Sequence, residues 1–262
     1  MPSLSRRTRA LALCSVPVAA LLATAALAPL PYVLAEPGMT ADVLGEDHGR
    51  QIISVSGHDT RDTSGRLLMT TIAATSPDAA VRLPDVLSAW FRTDRAAMPA
   101  DVVYPEGESQ KEIEEYNQEQ MTKSQDDATA AALSQLRLRP DDVDVTLHLA
   151  EVGGPSAGLM FTLGIVDKID GDGSGGDLTG GRTIAGTGTI EPDGTVGPVG
   201  GVPLKTQAAK RDGATVFLVP EAECAAARAE LPEGLRLVPV GELDDALESL
   251  KALRTGGTVP AC

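Results

Sequence analysis

"VDVTLHLAEVGGPSAGLMFTLGIVDKI", residues 143–169, changes period at its middle, and that change decides the fold. Over 143–152 apolar and polar residues alternate. Val143, Val145, Leu147 and Leu149 share one face, and Asp144, Thr146, His148 and Ala150 the other, as in a strand. From Pro155 onward Leu159, Leu163 and Val166 recur at three- and four-residue spacing, which predicts a helix over 155–169. Between the two, "GGPSAG" (153–158) sets one hydroxyl, that of Ser156, on a tight turn.

The flanking chain repeats this alternation. "QIISVSG" (51–57) and "GRLLMTTIA" (65–73) read as a strand hairpin around a polar turn containing His58, Asp59 and Asp62. "LPDVLSAWFRTDRAA" (83–97) reads as a helix with Pro84 in its first turn, and residues 108–136 as a long acidic helix with a solvated charged face. After a Gly/Asp-rich loop (170–181) come a strand, "RTIAGTGTI" (182–190), and a helix, "VPLKTQAAKRDG" (202–213), ended by Gly213. "TVFLVP", a helix from Glu221, "RLVPV" and a helix from Glu242 complete an α/β pattern. No repeat and no long internal linker appears, so residues 36–262 are expected to form one domain.

The N-terminus reads as an address. Residues 1–9 form a basic tail with Arg6, Arg7 and Arg9, and 10–35 carry no charge. That length suffices for a helix to cross ~30 Å of hydrocarbon. A cleaved signal peptide competes, with "ALA" at 26–28 as a small-residue site, although Pro29 is a poor cleavage context. Either reading keeps the arginines inside and places 36–262 on the extracytoplasmic side of the cell membrane.

The formal charge is −15, and because those three arginines are the only charges before Glu36, the remainder carries −18. Such a body repels phosphate backbones, which argues against nucleic-acid partners. Cys14, Cys224 and Cys262 show no metal-ligand spacing. Cys224 and Cys262 can pair outside the cytoplasm or remain two thiols.

A serine that opens a helix is first of all a cap. To act as a nucleophile it needs a base. His148 lies eight residues upstream, ~25 Å away along an extended strand, and His48 and His58 sit in polar segments. Lys205 is the better candidate. Val202, Pro203 and Leu204 precede it and Ala208 and Ala209 follow one turn later, so a desolvated amine could lose its proton near neutrality. Backbone amides around Gly154, Ser156 and Ala157 would then face one point as an oxyanion hole. Two other motifs dissolve. "GDLTGGRT" (176–183) has P-loop spacing but lacks the lysine and leads into a strand. "DGDGSGGD" (170–177) starts like a calcium loop but has Gly181 where the closing Glu belongs, and reads as a flexible loop.

"GGPSAG", then "AGTGTIEPDGTVGPVGG" (185–201), then a lysine four residues past the double glycine, resembles the proteolytic domain of the Lon (S16) peptidase family. The resemblance implies that Ser156 is the nucleophile, Lys205 its base and Thr187 a hydroxyl that helps hold the lysine. It also implies an α/β (α+β-like) Lon proteolytic-domain fold, protein or peptide substrates, a possible homo-oligomeric ring, and neither cofactor nor metal. Two positions depart from the family pattern: Thr189 stands where a glutamate is usual, and Gly153 where an acidic residue is usual.

The match is strong over 143–251 and weaker over 51–136. With the N-terminal segment it is similar to membrane-anchored bacterial S16 proteins that carry a PDZ module. Here only "SQLRLRPDD" separates the long helix from the strand, too short for that module, and no ATPase module is expected. The expected activity is therefore that of a membrane-anchored, ATP-independent serine endopeptidase. A catalytically inactive, membrane-anchored binding module of the same fold is the rival reading, and a small-molecule kinase the third.

Overall fold

The computed structural model describes residues 6–104, 110–149 and 154–262. In chain order the elements are α1 (Arg6–Leu27), β1 (Tyr32–Asp42), a short hairpin of β2 (Glu46–Asp47) and β3 (Arg50–Gln51), β4 (Ile53–Ser56), β5 (Arg66–Ala74), α2 (Leu83–Trp90), β6 (Ala96–Pro99) and α3 (Ala100–Val103). Then follow α4 (Gln110–Leu136), β7 (Asp144–Leu147), α5 (Gly158–Ile169), β8 (Thr183–Gly186), β9 (Thr189–Ile190), β10 (Val196–Gly197) and α6 (Val202–Arg211). The chain ends with β11 (Val216–Pro220), α7 (Cys224–Ala229), β12 (Arg236–Val240) and α8 (Leu243–Thr255). Two compact units result, one of residues 1–35 with 74–107 and one of 36–73 with 108–262. The single domain expected over 36–262 therefore lacks 74–107.

In the larger unit the strand order is β12-β11-β8-β5-β1, and the pairs from β12 through β5 are parallel. Parallel strands are covered on both faces, and their side chains divide between two cores accordingly. Val216 and Leu218 of β11, Ile184 of β8 and Leu67 and Met69 of β5 enter one core with α5 and α8. Their neighbours Phe217, Val219, Ala185 and Leu68 enter the other, beside Ala209 of α6 and Ala227 of α7. The mixed α/β class follows from this alternation.

The expected hairpin of 51–57 with 65–73 does not form. β4 pairs antiparallel with β7, with Val55 opposite Val145, whereas β5 pairs with β8. Leu67, Leu68 and Met69 are all buried, which requires an interior strand rather than one arm of an exposed ribbon. The alternation of 143–149 holds where β7 is formed: Val143 is buried and Asp144 and Thr146 are exposed. Residues 150–153 lie outside the described residues.

α5 is apolar all round rather than on one stripe, because it runs between α4, β4 and the sheet, and every residue from Gly158 to Asp167 is buried. α4 faces it with Ile113, Met121, Ser124, Ala128, Ala131 and Ala132, and its charges point outward as expected. The glycine-rich loop at 170–177 is pinned rather than loose. Arg61 reaches Asp177 at 3.1 Å and the Gly175 carbonyl at 2.9 Å, and Arg254 pairs with Asp172.

In the smaller unit α1 ends at Leu27, and residues 32–35 pair with β6 instead of extending the helix. Pro29 and Pro31 explain the stop, since proline cannot continue a helical ladder and biases the preceding residue toward extended backbone. The uncharged stretch to Ala35 is thus not one helix. Among the described residues no helix is long and apolar enough to cross a membrane.

Candidate active site

The turn that carries Ser156 is held from two sides. Gly154 has φ +88°, a left-handed conformation suited to glycine, and its amide donates to the Asn117 carbonyl of α4 at 3.1 Å. Ser124, also on α4, donates its hydroxyl to the Pro155 carbonyl at 3.0 Å. From the opposite side the Gly188 amide donates to the Ser156 carbonyl at 3.0 Å, and Leu159 returns its amide to Gly188 at 3.2 Å. Gly158 allows this closeness, since a Cβ there would lie 3.0 Å from Ile190 Cγ2.

The Ser156 hydroxyl is not a helix cap. The N-cap of α5 is Ala157, and no side-chain bond caps it. Among the described residues nothing hydrogen-bonds the Ser156 hydroxyl, which leaves it free for other chemistry.

The expected strand 182–190 is broken into β8 and β9, and the break is the centre of the site. Thr187 occupies it, fully buried, with its amide on the Leu218 carbonyl at 3.1 Å. Its hydroxyl donates to the Ser156 carbonyl at 3.2 Å and accepts from Lys205 Nζ at 3.0 Å. Lys205 lies in the first turn of α6. The N-cap before it, Gly201, has φ +70° and would drive a Cβ to 2.8 Å from Ile72 Cγ2, so this glycine lets the helix start flush against the strand.

Lys205 is 3% exposed and forms no ion pair among the described residues. Burial pushes its ammonium from 10.5 down to about 8, and the negative charge of Glu223 acts in the opposite sense. The structure therefore brings Lys205, Thr187 and Ser156 together in one chain of contacts. The amine and the Ser156 hydroxyl do not hydrogen-bond each other; Thr187 links the amine to the Ser156 backbone carbonyl.

Of the three amides expected to hold an oxyanion, that of Gly154 is already committed to Asn117. The amides of Ser156 and Ala157 remain, at the N-terminal end of buried α5, where helix N–H groups lack partners. Thr189 pairs with Gly197 in the β9–β10 hairpin and makes no bond to Lys205. Gly153 lies outside the described residues.

None of the histidines reaches the site. His148 lies 3.1 Å from Arg50 Nη1, His58 contacts the Asp59 carbonyl at 2.8 Å, and His48 lies 3.7 Å from Asp47. Sequence reasoning missed Ser124, Asn117 and Glu223. Ser124 was open to detection, as a polar residue on the otherwise apolar stripe of α4. Asn117 acts through its carbonyl, which any residue would supply.

Residues 116–253, just over half of the chain, match the model of the Lon protease (S16) C-terminal proteolytic domain. Lon protease 2 of Bacillus subtilis is 28% identical over 136 residues, covering 50% of this chain and 23% of that protein. The Lon protease of Chloroflexus aggregans is 32% identical over 115 residues, 41% of this chain and 13% of that protein. That of Clostridioides difficile is 35% identical over 113 residues, 40% of this chain and 14% of that protein. The matched region thus spans less than a quarter of each relative's length. With the serine turn, the buried lysine and this match on the same segment, the chain belongs to the Lon protease (S16) C-terminal proteolytic-domain family.

Proposed function

We propose that the protein is a membrane-anchored serine endopeptidase that uses a Ser156–Lys205 dyad and needs no ATP for peptide hydrolysis. The observation that carries this reading is the desolvated Lys205 amine, held 3.0 Å from a hydroxyl that itself bonds the Ser156 backbone. Neutral Lys205 takes the proton of Ser156 Oγ as that oxygen attacks the substrate carbonyl carbon. By accepting an N–H of Lys205, Thr187 holds the amine beside the turn that carries the serine. The amides of Ser156 and Ala157 receive the tetrahedral oxyanion. The lysinium then protonates the leaving amine, and water, deprotonated by the same amine, releases the acyl group.

The anchoring segment is the apolar N-terminal stretch that contains α1, and the larger unit with the dyad lies on the extracytoplasmic side. A disulfide between Cys224 and Cys262 supports that side, since such bonds persist in oxidising compartments. Covalent labelling by a fluorophosphonate probe tests the chemistry. Labelling of the purified chain that disappears in Ser156→Ala supports the peptidase. Equal labelling of both forms, or of neither, supports an inactive binding module.

A further inference from the structure

The smaller unit carries a surface that the peptidase reaction does not use. The chain has three phenylalanines and one tryptophan. Phe161 and Phe217 are fully buried, whereas Trp90 and Phe91 stand side by side at the end of α2, 80% and 89% exposed. In so aromatic-poor a chain, two adjacent rings left in water need a partner.

Position and the apolar surface beside it say which partner. α2 packs against α1, and the Leu30 amide donates to the Val81 carbonyl at 2.8 Å, one residue before the α2 N-cap. An eight-residue helix spans about 12 Å, so the rings stand about one such helix length along the chain from the Leu30–Val81 bond. On α1 itself Leu13, Val16, Val18, Leu21, Leu22 and Leu27 are all more than half exposed. With Arg6, Arg7 and Arg9 kept on the inner side, the rest of this unit carries three arginines against five acids, so the contact rests on apolar surface and not on charge. Arg82, Arg92 and Arg95 flank the rings in sequence, with Arg92 paired to Asp94 at 2.6 Å.

We propose that the Trp90–Phe91 end of α2 is a bilayer contact, the two rings entering the headgroup–acyl boundary of the membrane beside α1. Tryptophan favours that layer because its ring is apolar and its N–H still finds a polar partner there. The contact rests on the membrane-anchor reading of α1 and extends it to a second point of attachment.

Trp90 is the only tryptophan, so its emission reports this site alone. The full chain is to be mixed with phosphatidylcholine–phosphatidylglycerol vesicles, with and without acyl-chain-brominated lipid, and membrane association followed by flotation. The expected result is co-flotation, a blue-shifted Trp90 emission, quenching of at least twofold by brominated lipid and protection from aqueous iodide. Phe91→Asp should abolish the bromine quenching while probe labelling of Ser156 in detergent is unchanged. A chain that floats while Trp90 stays red-emitting and iodide-accessible overturns the contact and leaves the anchor standing. A blue shift that grows with protein concentration and ignores bromine assigns the face to a second copy and also overturns it. A chain that does not float overturns the anchor and the contact together.

Discussion

Lys205 Nζ donates to Thr187 Oγ1 at 3.0 Å in a site from which the amine is almost wholly shielded from water. A lysine kept in so dry a place without a carboxylate is a cost to the fold. The ammonium falls from 10.5 to about 8, so the folded chain binds fewer protons than the unfolded one between those values. The sign follows: the cost is full below pH 8 and is relieved as pH rises toward 10.5.

Lys205→Met should therefore stabilise the protein and abolish peptidase activity. The shift to about 8 corresponds to about 3 kcal/mol, from which about 1 is subtracted for the lost hydrogen bond, leaving a gain of about 2 kcal/mol at pH 7. Urea unfolding at pH 7 measures it, and the difference from the parent should shrink at pH 10.

Thr187→Val keeps the shape of the side chain and removes the oxygen that receives the amine. Activity should fall roughly ten- to hundredfold, the scale of a buried hydrogen bond worth about 1–3 kcal/mol. Thr187→Ser should retain most of it. Steady-state cleavage of a fluorogenic peptide by the two variants separates an orienting hydroxyl from a merely space-filling side chain.

Glu223 holds the Lys205 ammonium up, against burial. Glu223→Gln should move the midpoint of the pH–rate profile below that of the parent and raise activity at pH 7. An unchanged midpoint would mean that the carboxylate is screened from the amine.

The Cys224–Cys262 bond closes a separation of 38 residues across the second core of the larger unit. By the chain-entropy estimate a loop of this length is worth about 4 kcal/mol. Reduction, or Cys224→Ser with Cys262→Ser, should lower the denaturant midpoint accordingly, and dithiothreitol should have no further effect on the double variant.

Much of the fold was legible because burial follows period. The alternation of 143–149, the buried "VFLVP" of β11 and the stripe on α4 each declared their faces. Strand partnership was not legible: β4 and β5 are neighbours in sequence, yet β4 joins β7 and β5 joins β8, a choice made by long-range packing. The extended run at 32–35 was hidden inside an uncharged stretch, where apolar helix and buried strand look alike. At the site Ser156 and Lys205 were singled out by their local sequence, and Thr187 only by the family resemblance. The commitment of the Gly154 amide to Asn117 was not, because backbone-to-backbone bonds leave no mark on residue choice.

The most direct test is the pH dependence of Ser156 phosphonylation by a fluorophosphonate, with the adduct mapped by mass spectrometry. Phosphonylation of the parent should rise with pH through a midpoint near 8, and Lys205→Met should lose it. Unchanged phosphonylation of Lys205→Met, or a parent rate flat from pH 6 to about 9, a window chosen to bracket the lysine, would contradict the dyad.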